Sequence, residues 1–333
     1  MKITIVEVAK ACNVSVATVS RVLNGNYPVK ESTRKKVLQV IKELNYTPNT
    51  QARDLSKQNS STIGVVVPSI SNMYFTQVIK GIEKYYEESQ FSIFLCTTDN
   101  DKEKEKARVN ELISRNVAGI IIVDPNIENY KNNFYEQISK STPVVFVNGY
   151  PEDKNISVVC SNQKEGSNLA MNYLLQSNKD IAFIRGSKSY SYDIKEEVYK
   201  DIMKKNDNYD ENYIVNIGYG NSIETVDKTM ELTLDLLEKY NDISAVFACN
   251  DLMAIGVMNA CKKLNKNIPK DISIVGYDNI ALSQMVEPKL TTIDQNMILL
   301  GKSAGVLLNE KIENHNTQSR KIILKNTLVQ RST

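Results

Sequence analysis

Between Ser15 and Asn24 the chain reads Ser-Val-Ala-Thr-Val-Ser-Arg-Val-Leu-Asn, small and hydroxylated residues around one arginine. Such a set suits contact with a polyanion more than turnover of a substrate. Hydroxyls bond phosphate oxygens, and a guanidinium can grip a guanine edge at two points. Groups for covalent chemistry are scarce. The one histidine, His315, stands in the polar stretch Asn314-His315-Asn316, which nearly excludes a His-based metal site or catalytic dyad. There is no Gly-rich phosphate loop and no nucleophile elbow, so neither an enzyme nor a cofactor is expected. Cys12, Cys96, Cys160, Cys249 and Cys261 form no Cys-x-x-Cys pair and no disulfide framework; buried, reduced thiols are expected.

Charge is distributed to match. The 333 residues carry a net +2, but residues 1–60 hold ten Lys or Arg against four acids, a net +6, and the remainder is −4. A small basic head on a mildly acidic body points to a polyanionic partner for the head. Apolar residues make up 41% of the chain, enough for a sizeable core. No apolar run approaches the ~18 residues of a membrane span. Met1-Lys2-Ile3-Thr4 leads straight into an amphipathic helix and not into a signal peptide, so a cytoplasmic location is expected.

Three short helices are expected over the first 45 residues. Thr4 caps the first, with Val6, Val8 and Ala9 as its apolar face. Cys12-Asn13-Val14 makes a tight turn, and Ser15 caps a second helix that Asn24-Gly25-Asn26 stops. Val37, Val40, Ile41 and Leu44 form the buried stripe of a third, whose outer face carries Arg34, Lys35 and Lys36. Residues 49–61 are polar and linker-like, with a helix-capable piece from Thr50 to Lys57. From Thr62 on, β-branched runs alternate with helical stretches: Ile63–Val67, Phe91–Leu95, Gly119–Val123, Val144–Val147, then Ile181–Ile184, Tyr213–Ile217, Ala245–Phe247 and Ile272–Val275. The expected fold is a small all-α helix-turn-helix head (1–48), a hinge (49–61) and an α/β core (62–333). Two doubly wound parallel-sheet lobes would flank a cleft in that core.

The head motifs Thr4-Ile5-Val6-Glu7-Val8-Ala9-Lys10, Val14–Asn24, Thr33-Arg34-Lys35-Lys36-Val37 and Leu44–Asn49 closely resemble the LacI/GalR repressor family. The resemblance implies that Val16, Ala17 and Arg21 read base edges of operator DNA. It also implies that Thr4, Ser15, Thr18, Ser20, Asn24 and Asn49 position the head on the backbone. Ala52-Arg53-x-Leu55 resembles the family's hinge helix, with Leu55 as a minor-groove wedge that bends the duplex. Asp54 departs from the small residue usual there. The plainer alternatives are a small three-helix bundle with polar surface residues, and Leu55 packing on the core.

The core resembles the same family, and so the periplasmic sugar-binding fold, through Val67–Asn72, Phe247–Ala254, Ile274–Asn279, Pro288-x-Leu290-Thr291-Thr292 and Gln295. These stretches fall at the C-terminal ends of strands, where open parallel sheets bind ligands. Asn72, Tyr74, Lys195, Asn250, Asp278 and Gln295 are therefore candidate effector-binding residues. Tyr74 would offer a ring face, and Asn250 and Asp278 directional hydrogen bonds; helix capping and turn formation are their alternative roles. The family pattern departs at Lys195, where an arginine is usual, at Asn148 for an aspartate, and at Asn72-Met73 for Asn-Pro. The leading expectation is a repressor of carbohydrate-use genes tuned by a small effector, sugar or sugar phosphate. The alternative is a global regulator whose core docks a phosphorylated carrier protein, although Val306 stands where an arginine is expected at that surface. No leucine heptad follows Arg331, so a homodimer is expected.

Overall fold

The computed structural model describes residues 3–25, 28–47, 60–149, 156–187, 189–314 and 317–333. The chain divides into two units, Met1–Ser60 and Ser61–Thr333. In the first, α1 (Ile5–Cys12) begins at Thr4, whose hydroxyl accepts the Glu7 N–H while Glu7 accepts the Thr4 N–H at 2.7 Å. This reciprocal cap satisfies donors that a helix start leaves open. Asn13 closes the helix in the left-handed region, at φ 54°. Ser15 caps α2 (Val16–Asn24), and Gly25, at φ 66°, ends it where a Cβ would be strained. α3 (Glu31–Glu43) completes a core of Val8, Ala9, Cys12, Val19, Val22, Val37 and Tyr46.

Two details differ from the sequence reading. Val6 is 48% exposed, because it lies ~200° around the helix from Val8. The buried face is instead Val8, Ala9 and Cys12. In the α3 stripe Val37 is fully buried, while Val40, Ile41 and Leu44 pack partly buried at its margin.

In the second unit the β-branched runs form two six-stranded sheets. The first lobe holds β1 (Thr62–Val67), β2 (Ser92–Thr97), β3 (Gly119–Val123), β4 (Val144–Val147) and β5 (Ser157–Ser161). The second holds β6 (Ile181–Arg185), β7 (Ile214–Asn216), β8 (Ala245–Ala248), β9 (Ser273–Asp278) and β10 (Thr291–Asp294). β11 (Lys321–Leu324) then returns to the first sheet and β12 (Thr327–Val329) to the second. The orders are β11-β5-β4-β3-β1-β2 and β12-β10-β9-β8-β6-β7. Every pairing is parallel except β10 with β12. β3, β4, β6 and β8 are buried along their whole length, as strands covered on both faces must be.

Helices α4 (Met73–Tyr86), α5 (Lys102–Ser114), α6 (Ile127–Lys131) and α7 (Phe134–Ile138) belong to the first lobe. The second has α8 (Gln163–Leu174), α9 (Tyr190–Lys205), α10 (Glu224–Lys239) and α11 (Asp251–Lys263). α12 (Met297–Glu313) returns to the first lobe and lies directly on α4. A Cβ on Gly301 would fall 2.0 Å from the Val78 carbonyl oxygen, so those two backbones touch. The chain thus crosses between lobes three times: after β5, after β10, and between β11 and β12.

Candidate functional site

On α2, Val19 and Val22 face the core, and the opposite side is open. Val16, Ala17 and Arg21 are exposed there, with Thr18, Ser20 and Asn24 half-buried. Ser15 and Thr4, both exposed, act as helix caps. The Ser15 and Thr18 hydroxyls meet at 2.9 Å, and Asn24 Nδ2 donates to Ser20 Oγ at 3.2 Å. The result is a thin helix edge with small side chains where a groove floor would lie, and a guanidinium one turn on. Asn49, Ala52 and Leu55, the expected backbone contact and hinge wedge, lie outside the described residues.

The core holds a cleft lined largely by polar side chains and partly open to solvent. Asn72, Tyr74, Lys195, Asn250, Asp278 and Gln295 all line it. Their parts differ. Asn72 caps α4 through Tyr74 N at 3.0 Å and reaches the other lobe, donating to Asn221 Oδ1 at 3.2 Å. Asn250 caps α11 by accepting from Met253 N, and its Nδ2 donates to the Tyr192 hydroxyl and the Gly220 carbonyl. Tyr74, expected to offer a ring face, is instead 5% exposed. Its ring is packed edge-on to Phe75 and its hydroxyl accepts from Asn148 Nδ2 at 2.6 Å.

Lys195 projects from α9 into the cleft and is held there. Its Nζ donates to the Cys249 carbonyl at 2.9 Å and to Ser191 Oγ at 3.0 Å, and stands 3.7 Å from the Tyr277 ring centroid. Burial pulls its pKa down, while Cys249, Asp278 and Asp124 hold the charge in place. Asp278 ends β9 with φ at 112°, a conformation that L residues rarely adopt. The turn that follows is over-determined. Asp251 accepts the Ile280 N–H at 2.8 Å, and Arg331 donates to Asn279 Oδ1 and to the Leu290 carbonyl, each at 2.6 Å.

Among the described residues, eight further lining residues were not among the sequence candidates, and two of them, Asp124 and Asn148, stand at strand ends. Asp124 follows β3, left-handed at φ 54°, and Asn148 follows β4 at φ 59°. Both stand at C-terminal strand ends, the same signal that singled out Asn250 and Asp278. Burial pushes Asp124 up to about 6 and Asp278 up to about 7, with Lys195 opposing in each case.

Gln295, 2% exposed, sits at the second crossing. Its Nε2 donates to Asp278 Oδ1, while its Oε1 accepts from the Ser161 hydroxyl and, at 2.8 Å, from Gln163 Nε2, both at the first crossing. At the third, Asn326 Nδ2 donates to the Asn162 carbonyl at 2.9 Å and to the Tyr277 hydroxyl at 2.8 Å. Cleft floor and hinge are one network. The five cysteines are buried and unpaired, as expected. Among the described residues no three His, Cys, Asp or Glu are grouped to hold a metal, and no helix is long and apolar enough to cross a membrane.

Comparison with known proteins gives two family matches: bacterial regulatory proteins of the lacI family over residues 4–49, and the periplasmic binding protein domain over 63–316. The chain belongs to the lacI family. It is 36% identical to the ribose operon repressor of Halalkalibacterium halodurans, covering 99% of this chain and 96% of that protein. With catabolite control protein A of Priestia megaterium it is 34% identical, covering 96% and 95%. The lac repressor dimer bound to operator and the anti-inducer ONPF matches with a TM-score of 0.86 at 26% identity, covering 100% of this chain and 99% of that one. This lacI-family chain is accordingly a DNA-binding transcription regulator with a helix-turn-helix head and an effector-type core.

Proposed function

We propose that this regulator represses carbohydrate-use genes by binding a pseudo-palindromic operator as a homodimer, and that a small effector in the core cleft sets its DNA affinity. The observation that carries the reading is the Asp278–Gln295–Ser161–Gln163 network, which joins the cleft floor to two of the three crossings between lobes. A ligand can shift an equilibrium only by binding one lobe arrangement better than another. Contacts to Asp278 act on the residues about which such a change would turn.

In this reading Val16, Ala17 and Arg21 read base edges, and Thr4, Ser15, Thr18, Ser20, Asn24 and Asn49 hold the backbone. Ala52 and Leu55 belong to a hinge wedge. Two copies mirror two half-sites. Solved relatives with bound ribose and with D-xylulofuranose support a sugar-type effector. Against carrier-protein docking, Val306 is exposed on α12 and offers no charge there to a phosphoprotein.

The test is selection of duplexes from a random pool by the full chain, followed by titration of the selected duplex with and without sugars. Recovery of a two-fold symmetric site, bound more weakly or more tightly when a sugar is present, is the expected result. A pool that yields no common sequence would sink the operator reading. A site indifferent to every small molecule but responsive to a phosphorylated carrier protein would hand the core to the docking alternative.

A further inference from the structure

Two consecutive residues at the end of β9, neither of them glycine, hold positive φ: Asp278 at 112° and Asn279 at 58°. Such backbone persists only where its surroundings over-determine it, and it gathers at clamps and switches. Asp278 also accepts from Gln295 Nε2 at the second crossing, so the strained turn is the join between cleft floor and hinge. Whatever holds the turn acts on both.

Part of the hold is close at hand. Thr292 Oγ1 accepts the Asn279 N–H at 3.3 Å, and Asp294 accepts Asn279 Nδ2 at 3.2 Å, both from β10. Asp251, at the start of α11, takes the Ile280 N–H. The rest comes from far along the chain. Arg331 stands just past β12, beyond the third crossing. Its Nη2 donates to Asn279 Oδ1 at 2.6 Å, and its Nη1 to the Leu290 carbonyl at 2.6 Å and to Ser283 Oγ at 3.1 Å. Its own N–H donates to Thr291 Oγ1 at 3.0 Å, which fixes the base of the side chain.

The shape of the guanidinium matters. One rigid fork grips three acceptors on separate stretches, where a lysine ammonium on a flexible stem would hold fewer of them. Ser283 is fully buried and already donates to the Ile280 carbonyl at 2.7 Å, so the bond from Arg331 completes its set. Arg331 is not among the residues that line the cleft. It reaches the cleft through the turn.

We propose that Arg331 is a positioning residue for the response of the core: from beyond the third crossing it holds the Asp278–Asn279 turn in its strained course, and so keeps the cleft floor joined to Gln295 and the hinge. The consequence for DNA binding rests on the reading of the cleft as the effector site; the mechanical role does not. Without the guanidinium the turn relaxes, Asp278 withdraws from Gln295, and the second crossing is released from the floor.

The experiment is hydrogen exchange, read by mass spectrometry on peptides of the full chain, for Arg331→Met, Asn279→Gly and the double variant. In Arg331→Met the amides of 279–283 and those around Gln295 exchange about tenfold faster or more, as loss of hydrogen bonds to a charged group gives, while β6 and β8 stay within about twofold. Glycine carries positive φ without strain, so Asn279→Gly removes part of what Arg331 restrains. In that background Arg331→Met speeds exchange by no more than about threefold.

Equal acceleration across the whole core would make Arg331 a general stabiliser and overturn the proposal. Full acceleration in the Asn279→Gly background overturns it too, and so does a fast turn beside an unchanged Gln295 segment. Arg331→Lys keeps the charge without the fork and shows a smaller acceleration in the same two segments; it carries the test where Arg331→Met does not fold. Titrating the selected duplex with the same variants separates the two ideas. Exchange that rises only in the two segments, with DNA affinity unchanged, keeps the positioning role and removes the coupling of the cleft to DNA. A change in DNA affinity with exchange unaltered in both segments keeps a regulator and overturns the role given to Arg331.

Discussion

The head and the cleft are both polar surfaces, yet they are assembled on different scales. In the head, hydrogen bonds join residues three or four apart: Thr4 with Glu7, Ser15 with Thr18, Ser20 with Asn24. In the cleft the partners are distant in sequence, with separations of 149 for Asn72 and Asn221, 134 for Ser161 and Gln295, and 54 for Lys195 and Cys249. A surface built from local bonds forms with its helix and loses one group at a time. A surface built from distant strand ends exists only when the whole core does, and a change at one residue is felt by several others.

The largest test of that contrast is Lys195→Ala. It leaves two carboxylates without their cation and two acceptors without their donor. It should lower the stability of the core by about 3 kcal/mol in urea unfolding of the full chain. A loss below ~1 kcal/mol would mean that the cleft is as forgiving as the head. Next is Arg21→Ala, which should leave stability nearly unchanged and relax base preference by about 1–3 kcal/mol at one position per half-site. If all duplexes weaken equally, Arg21 is a phosphate contact. Thr4→Ala should cost the head about 1 kcal/mol through loss of its cap, with no effect on ligand binding in the core.

The smallest effect is a difference in sign. Burial lifts Asp124 to about 6 and Asp278 to about 7 from 3.8. Between those values the folded chain holds protons that the unfolded chain has released, so their contribution to core stability falls as pH rises from about 4 to about 7. Asp278→Asn should flatten that fall. In the head, bonds from Thr4 hold Glu7 below 4.5, so its contribution is present above that pH and lost on acidification. Unfolding followed at several pH values checks both directions, and parallel pH profiles would erase the distinction.

The same contrast explains what could be read from sequence. The Thr4 and Ser15 caps, the Asn13 turn and the Gly25 stop are local signals, and each stands where expected. So do the eight β-branched strands, although β9 runs on to Asp278, past the expected end at Val275. β5, β10, β11 and β12 were not expected, since each is short and gives one or both of its end positions to Ser, Thr, Asp or Lys, which leaves at most three apolar residues in a row to read. The six core candidates do share one cleft, but Asp124 was overlooked although it follows a four-residue β-branched run. Nor can spacing reveal that Lys195 spends its donors internally, because Cys249 and Tyr277 approach it only through tertiary packing.

The threefold crossing between lobes also sets an order of assembly on the ribosome. Synthesis proceeds from the N-terminus, and domains fold as units when their residues have emerged. The head has all its residues within the first sixty. Neither core sheet receives its last strand until 321–329, when β11 joins β5 and, a few residues later, β12 joins β10. The part that grips DNA is therefore finished early, and both halves of the part that senses are finished together at the end. A nascent chain can hold a folded reader before it has any sensor, and it gains both lobes of the sensor within one short stretch of translation.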